Sequence, residues 1–263
     1  MGKSTHLLPA IITGASSGIG AATAQALAAK GWPVILTARR VERLEQLAAA
    51  IQKAGGTARV VAADLAQPEG RQALFAACPD ADILVNNAGF GWYGFAERMP
   101  WELAREMIEI NVAATVQLSL LYLPGMRARR RGHMINIGSI AGSLPNQGIA
   151  MVAASKAFLD AFSTSIYREL RGSGVEISVV RPGPVKTEFF DLARRQAQGG
   201  SIPAERFAVP AETVARSITR LIAHPRRVAY VPWYMSLTPL LEQWFGGIID
   251  RLGPLLLGHP KFD

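Results

Sequence analysis

The chain has 263 residues, 49% hydrophobic and 18% charged, which is enough apolar material to bury one large α/β core. A single cysteine, Cys78, excludes an internal disulfide, and four scattered histidines (His6, His133, His224, His259) form no ligand-like i,i+4 pair, so no metal site is expected. The net charge of +8 is densest in R-A-R-R-R at 127–131, which has no aromatic interleaving and sits at a helix end, where basic residues complement the dipole; no nucleic-acid partner is expected.

The opening M-G-K-S-T-H-L-L-P-A holds too short an apolar run for a signal peptide. No stretch reaches the roughly 18 uninterrupted apolar residues of a bilayer span. A reducing cytoplasmic location is the default expectation. L-L-P-A-I-I-T (7–13) reads as a first strand, with Pro9 tolerable only near its start. A helix over 17–30 follows and stops at Gly31. A second strand at 33–38 leads into a helix with Val41, Leu44, Leu47, Ala48 and Ile51 on one face, ending at Gly55-Gly56. Further strands are expected at 59–63, 82–86, 134–138, 175–180 and 228–232. Long helices fit 101–130, 153–171 and 211–223, two of them entered through Pro100 and Pro210. Parallel connections need crossovers, which helices supply, so the pattern implies one doubly wound parallel sheet of seven strands with helices on both faces.

Two segments fall outside the alternation. Residues 187–203, T-E-F-F-D-L-A-R-R-Q-A-Q-G-G-S-I-P, are polar, glycine-containing and long enough to be a lid. In the tail, Leu240, Leu241, Trp244, Phe245, Ile248, Ile249 and Leu252 recur at helical spacing, opposite Glu242, Gln243, Asp250 and Arg251. The chain thus divides into a main domain over 1–232 and an apolar helical extension over 233–263. That extension is expected to pack on the same domain or at a subunit interface. A membrane surface is the less favoured alternative, because residues 239–256 carry only Arg251 as a basic group.

T-G-A-S-S-G-I-G occupies 13–20, between the first strand and the first helix. Gly14 permits a tight turn, and Gly18 and Gly20 let the backbone approach a pyrophosphate lying at a helix N-terminus, where free N–H groups and the dipole favour anions. A dinucleotide cofactor follows. At the end of the second strand, where a carboxylate would hold a ribose 2′-OH, the sequence is T-A-R-R: Ala38, then Arg39 and Arg40. With no acid in reach and two guanidiniums for a 2′-phosphate, NADP(H) is the expected cofactor.

The chain resembles the classical short-chain dehydrogenase/reductase family over about residues 7–232. The resemblance rests on T-G-A-S-S-G-I-G at 13–20, D-L at 64–65, N-N-A-G at 86–89, Asn111, Ser139, S-K at 155–156 and P-G at 182–183, all in order and spacing. It implies a Rossmann-type fold and an oxidoreductase that transfers hydride to or from a carbonyl or alcohol compound. By the same resemblance Gly14, Ser16, Ser17, Gly18, Ile19 and Gly20 line the pyrophosphate. Asp64 and Leu65 flank the adenine, Asn87, Ala88 and Gly89 support the central cofactor, and Pro182, Gly183, Val185 and Thr187 contact the nicotinamide side. Asn111, Ser139 and Lys156 match three members of the family's catalytic tetrad. The long helices at 101–130 and 153–171 are the family's usual assembly faces, and a homodimer or homotetramer is the expectation.

The fourth member should be a tyrosine, thirteen residues after the serine and four before the lysine. Both counts arrive at Val152. In such a site the phenol gives the proton to the developing alkoxide, a contribution of about 10²–10⁴ in rate, which valine cannot make. Tyr167, eleven residues past Lys156, lies roughly 16 Å along the helix and is too far. Tyr93, in the loop after N-N-A-G, is placed to reach the mouth of the site and is the less favoured substitute. Three explanations of Val152 stay open: an introduced substitution in an ordinary reductase, a natural NADP(H)-binding scaffold or sensor without turnover, or hydride transfer to an acceptor that needs no enzymic acid. Trp92 and Tyr93, with Phe189 and Phe190 in the lid, would make a bulky apolar pocket for a hydrophobic carbonyl or alcohol substrate.

Overall fold

The computed structural model describes residues 7–195 and 207–256. Strand and helix alternate from β1 (Ala10–Thr13) and α1 (Gly18–Ala28) through β2 (Val34–Thr37), α2 (Val41–Lys53), β3 (Ala58–Val60) and α3 (Pro68–Ala77) to β4 (Ile83–Asn86). Then come α4 (Trp101–Ile108), a π-turn at Glu109–Ala113, α5 (Ala114–Arg129), β5 (Gly132–Ile137), α6 (Ala150–Glu169) and β6 (Val175–Pro182). Short β7 (Val185–Lys186) leads into α7 (Glu188–Arg195), β8 (Val209–Pro210), α8 (Ala211–Ala223), β9 (Val228–Val231) and α9 (Thr238–Leu256).

Seven strands form one parallel sheet in the order β3-β2-β1-β4-β5-β6-β9. Ile12 stands opposite both Leu36 and Val85 in register. Because successive side chains point to opposite faces, Ala10 and Ile12 join one core and Ile11 the other. The first core packs α1, α2 and α8 on the sheet through Leu27, Leu44, Ile51, Val214 and Ile218. The second packs α3, α5 and α6 on the opposite face through Leu74, Leu118, Tyr122, Met126 and Ile166. Both faces are therefore covered, as a parallel sheet requires. The strand order reverses between β1 and β4, and the crevice beyond their carboxyl ends is where an open α/β sheet takes its ligand.

Several elements differ in detail from the sequence pattern. β1 begins after Pro9, which has no N–H for the ladder but whose carbonyl accepts from Asp82 N. The helix expected at 101–130 is interrupted by the π-turn that carries Asn111. By length and composition Trp101–Arg129 is apolar enough to cross a membrane; its Leu118, Tyr122 and Met126 are buried in the second core and Met107 in a separate cluster. The expected lid contains a helix over 188–195, and its remaining residues 196–203 lie outside the described residues. The basic run at the end of α5 is tied to the domain: Arg129 pairs with Asp80 and Arg131 with Asp82.

Candidate active site

The glycine-rich turn is held to the neighbouring strand by its own threonine. Thr13 Oγ1 accepts from Asn87 N at 2.8 Å and Ala88 N at 2.9 Å, and Asn87 Nδ2 donates to Thr13 O at 2.9 Å. These bonds join the ends of β1 and β4 at the point where the strand order reverses. Gly14 has φ +65°, a conformation glycine adopts at no steric cost. At Gly20 a Cβ would stand 2.4 Å from Gly14 O, so helix α1 lies directly on the turn, as close presentation of a helix N-terminus to an anion requires. Thr187 closes the far side: its Cγ2 is 2.8 Å from where a Cβ on Gly18 would be.

The two arginines after β2 point to different partners. Arg39 is exposed and reaches Glu106 at 3.3 Å. Arg40 turns back to the glycine-rich turn, with Nε 3.1 Å and Nη2 2.9 Å from Ser16 Oγ and Nη2 2.8 Å from Ser17 Oγ. Residues 38–41 after β2 hold no carboxylate, and this hydroxyl–guanidinium group is suited to a phosphate. Asp64 Oδ1 accepts from Ala66 N at 3.0 Å, and Leu65 is buried. Buried Arg71 fixes this loop by donating to Leu65 O at 2.7 Å and Ala66 O at 2.9 Å, and it also donates to Glu109 O at 3.2 Å in the π-turn.

Asn111, in that π-turn, is buried and clamps Phe90: Nδ2 donates to Phe90 O at 3.0 Å and Oδ1 accepts from Phe90 N at 3.1 Å. Ser139 follows β5, and its Oγ accepts from Ala141 N at 3.1 Å. Lys156, on α6, is buried with Nζ donating to Ile137 O at 2.7 Å. Burial pulls the Lys156 ammonium down to about 8, with the Asp160 carboxylate one turn further on working against that shift. Asp160 itself is pushed up by burial, against the opposing charges of Arg181 and Lys156. Arg181 Nε donates to Asp160 Oδ1 at 2.9 Å, and its Nη1 donates to Tyr230 Oη at 2.5 Å.

Pro182 ends β6, and Gly183 after it donates its N–H to Val231 O at 2.8 Å. Val185 is buried on β7, next to Thr187. The loop after β4, the start of α6 and helix α7 then converge on one apolar cluster containing Trp92, Tyr93, Met107, Ile149, Val152, Ala153 and Phe190, with Phe90 and Phe189 against it.

A model of the short chain dehydrogenase family matches residues 9–198 of this sequence. The chain belongs to the short-chain dehydrogenase family. An oxidoreductase of Myxococcus xanthus is 39% identical over 68% of the chain and 72% of its own length. A 3-oxoacyl-[acyl-carrier-protein] reductase of Vibrio cholerae is 34% identical over 84% of the chain and 91% of its own length. Among solved structures, a short-chain dehydrogenase of Sphingobium yanoikuyae in complex with NADPH superposes with a TM-score of 0.80 at 28% identity, covering 95% of each chain.

Within this short-chain dehydrogenase, the position before Lys156 by one turn is Val152, and its surroundings are apolar. A Cβ on Gly91 would lie 3.3 Å from Val152 Cγ2 and 2.6 Å from the Phe189 ring, so valine and phenylalanine close together over that glycine. Tyr93 is buried in the same cluster, with its ring 6.0 Å from Phe190 and 6.4 Å from Phe189. The structure thus brings Trp92, Tyr93, Phe189 and Phe190 together with Val152. Sequence reasoning missed Phe90, Met107 and Ile149 in this cluster, the Asp160–Arg181–Tyr230 group behind Lys156, and Glu188. Asp160, four residues past Lys156 on the same helix face, was the one with a readable signal.

Proposed function

We propose that this short-chain dehydrogenase binds NADP(H) and transfers hydride to or from a small hydrophobic carbonyl or alcohol compound, from a site whose proton-donor position is Val152. The observation that carries this reading is Lys156, buried one turn after Val152 with its ammonium donating to Ile137 O at the end of β5, the strand that Ser139 follows. Gly14, Ser16, Ser17, Gly18, Ile19 and Gly20 line the pyrophosphate, and Arg40 with Ser16 takes the 2′-phosphate while Arg39 flanks it. Asp64 and Leu65 border the adenine. Asn87, Ala88 and Gly89 support the centre, and Pro182, Gly183, Val185 and Thr187 border the nicotinamide.

When bound, the cofactor supplies or accepts the hydride. The Lys156 ammonium holds the nicotinamide-ribose hydroxyls, and the Ser139 hydroxyl donates to the substrate oxygen. Asn111 keeps the loop at Phe90 and the π-turn in place. At Val152 no group gives a proton, and ordinary ketone reduction loses the contribution of a positioned acid, about 10²–10⁴ in rate. The apolar wall of Trp92, Tyr93, Val152, Phe189 and Phe190 supports a hydrophobic substrate.

Calorimetry with NADP+ and NAD+, together with NADPH consumption over a panel of ketones, iminium compounds and activated alkenes, tests the reading. Preferential NADP+ binding with slow turnover of any acceptor supports it, and failure to bind NADP+ ends it. The apolar burial of Val152 also favours a second reading, a non-catalytic NADP(H)-binding scaffold or sensor. Binding with no turnover across the whole panel would select that reading.

Assembly follows from what the described surface leaves bare. Phe158 is exposed on α6 and stacked on Phe162 at 6.2 Å, and Leu120 is exposed on α5. These faces support a homodimer or homotetramer. In the 233–263 extension Leu240, Leu241, Trp244, Phe245 and Ile248 are exposed on α9, with Trp233 and Leu237 exposed just before it, while the side chains of Ile249 and Leu252 lie outside the described residues. That stripe supports a contact with a second copy more than with its own domain.

A further inference from the structure

Arg40 and Arg43 meet on one carboxylate, and that carboxylate belongs to the lid. Glu188 opens α7; its Oε2 accepts from Arg40 Nη1 at 2.7 Å and its Oε1 accepts from Arg43 Nη1. Arg40 spends the rest of its fork on Ser16 Oγ and Ser17 Oγ. Two guanidiniums and two hydroxyls therefore form a small anion site at the head of the glycine-rich turn, and Glu188 supplies the anion. The Arg40 and Arg43 hydrogen bonds hold the Glu188 carboxyl down at about 2, so it stays ionised at neutral pH. Its side chain is 37% exposed, and those of Arg40 and Arg43 are 38% and 47% exposed, so water screens both pairs and another anion can displace the carboxylate. The next two residues are Phe189 and Phe190 of the apolar cluster, so one short segment touches both the phosphate end and the substrate end of the site.

Resting on the NADP(H) reading above, we propose that Glu188 is a specificity-determining residue whose carboxylate competes with the cofactor 2′-phosphate for Arg40 and Arg43. A phosphate monoester carries about −1.5 to −2 charges at pH 7 and three acceptor oxygens, against one charge on a carboxylate, so it uses the two guanidiniums and two hydroxyls more fully. NAD+ has no such group and leaves the Glu188 pairs in place. Preference between the two dinucleotides is then set by Arg40 as the attraction and by Glu188 as the ion that must be displaced.

The test is a thermodynamic cycle on the full chain. Dissociation constants for NADP+ and NAD+ are measured by calorimetry for the wild type, Glu188→Gln, Arg40→Ala and the double variant. Glu188→Gln keeps the side-chain shape, and the NADP+/NAD+ ratio within each variant cancels any general loss of fold. The expected result is NADP+ binding about threefold tighter in Glu188→Gln, the size of a screened ion pair, with NAD+ changed less and a smaller effect of the same substitution once Arg40 is alanine and only the Arg43 pair remains. Unchanged or weaker NADP+ binding in Glu188→Gln, or an equal gain for NAD+, overturns the competition. The cofactor reading fails separately, and visibly so, if Arg40→Ala leaves the wild-type NADP+/NAD+ ratio as it was.

Discussion

Lys156 lies one helical turn after Val152 on α6, and the two side chains face different environments: the Lys156 ammonium donates to the Ile137 carbonyl at 2.7 Å, while Val152 is buried among Tyr93, Ile149 and Phe190. One turn of α6 thus sets a buried cation beside a wholly apolar contact.

The buried ammonium makes a pH-dependent prediction. Burial brings Lys156 to about 8, against 10.5 for an unperturbed lysine. Between those values the unfolded chain binds more protons than the folded one, so the Lys156 contribution to stability rises as pH climbs from about 8 to about 10.5. Lys156→Met removes that dependence. The unfolding free energy of the wild type minus that of the variant, from urea titrations at several pH values across this range, should grow with pH. A difference that stays flat contradicts the burial of a neutralisable lysine.

Arg71 makes the second prediction. Its guanidinium is buried and satisfies the carbonyls of Leu65, Ala66 and Glu109, joining the Asp64–Leu65 loop to the π-turn of Asn111. Arg71→Met leaves those buried acceptors without a donor, at a cost of about 3 kcal/mol or more in unfolding free energy. On the proposed cofactor site, the same variant should also bind NADP+ more weakly. Stability and affinity both at wild-type levels would show that the loops hold themselves.

At Gly20 a methyl group would lie 2.4 Å from Gly14 O and 2.6 Å from Asn87 Nδ2. Gly20→Ala therefore forces α1 off the turn, with an expected loss of about 1–3 kcal/mol in stability and a larger proportional loss of NADP+ affinity. Calorimetry against a melting curve separates the two effects. Unaltered affinity would mean the turn does not hold the pyrophosphate.

The exposed stripe on α9 predicts an assembly. The paired substitution Trp244→Ser and Phe245→Ser should lower the mass measured in solution by light scattering and leave liposome binding at background in both proteins. An unchanged mass together with liposome binding by the wild type alone would assign the stripe to a membrane surface.

Much of this architecture was readable from apolar period and glycine position, because a parallel sheet covered on both faces leaves continuous strand-length apolar runs between amphipathic helices. Helix α3 was not. Gly70 sits inside it and lowers helix propensity, yet a Cβ there would stand 2.0 Å from Asp64 O, so a requirement of packing hides the helix from the pattern. The π-turn at Glu109–Ala113 was equally hidden, since no proline or glycine marks it and its cause is Asn111 bonding to both backbone groups of Phe90. At the site, the spacing of Ser139, Val152 and Lys156 pointed to Val152 only through the resemblance to the family, and the structure adds that Val152 is buried in an apolar cluster. The different partners of Arg39 and Arg40, and the pairing of Arg40 with Glu188, depend on contacts 67 and 148 residues apart, which no local pattern carries.

The most direct measurement is NADPH-dependent ketone reduction by Val152→Tyr beside the unaltered chain, over one broad panel, with a melting curve to confirm that the larger side chain is accommodated in the buried cluster. Restoring the phenol one turn before Lys156 should raise kcat by about 10²–10⁴ on at least one hydrophobic ketone, while NADP+ affinity stays close to that of the unaltered chain. A folded Val152→Tyr protein that binds NADP+ and reduces no ketone faster than the unaltered chain would contradict a reductase site lacking only its acid.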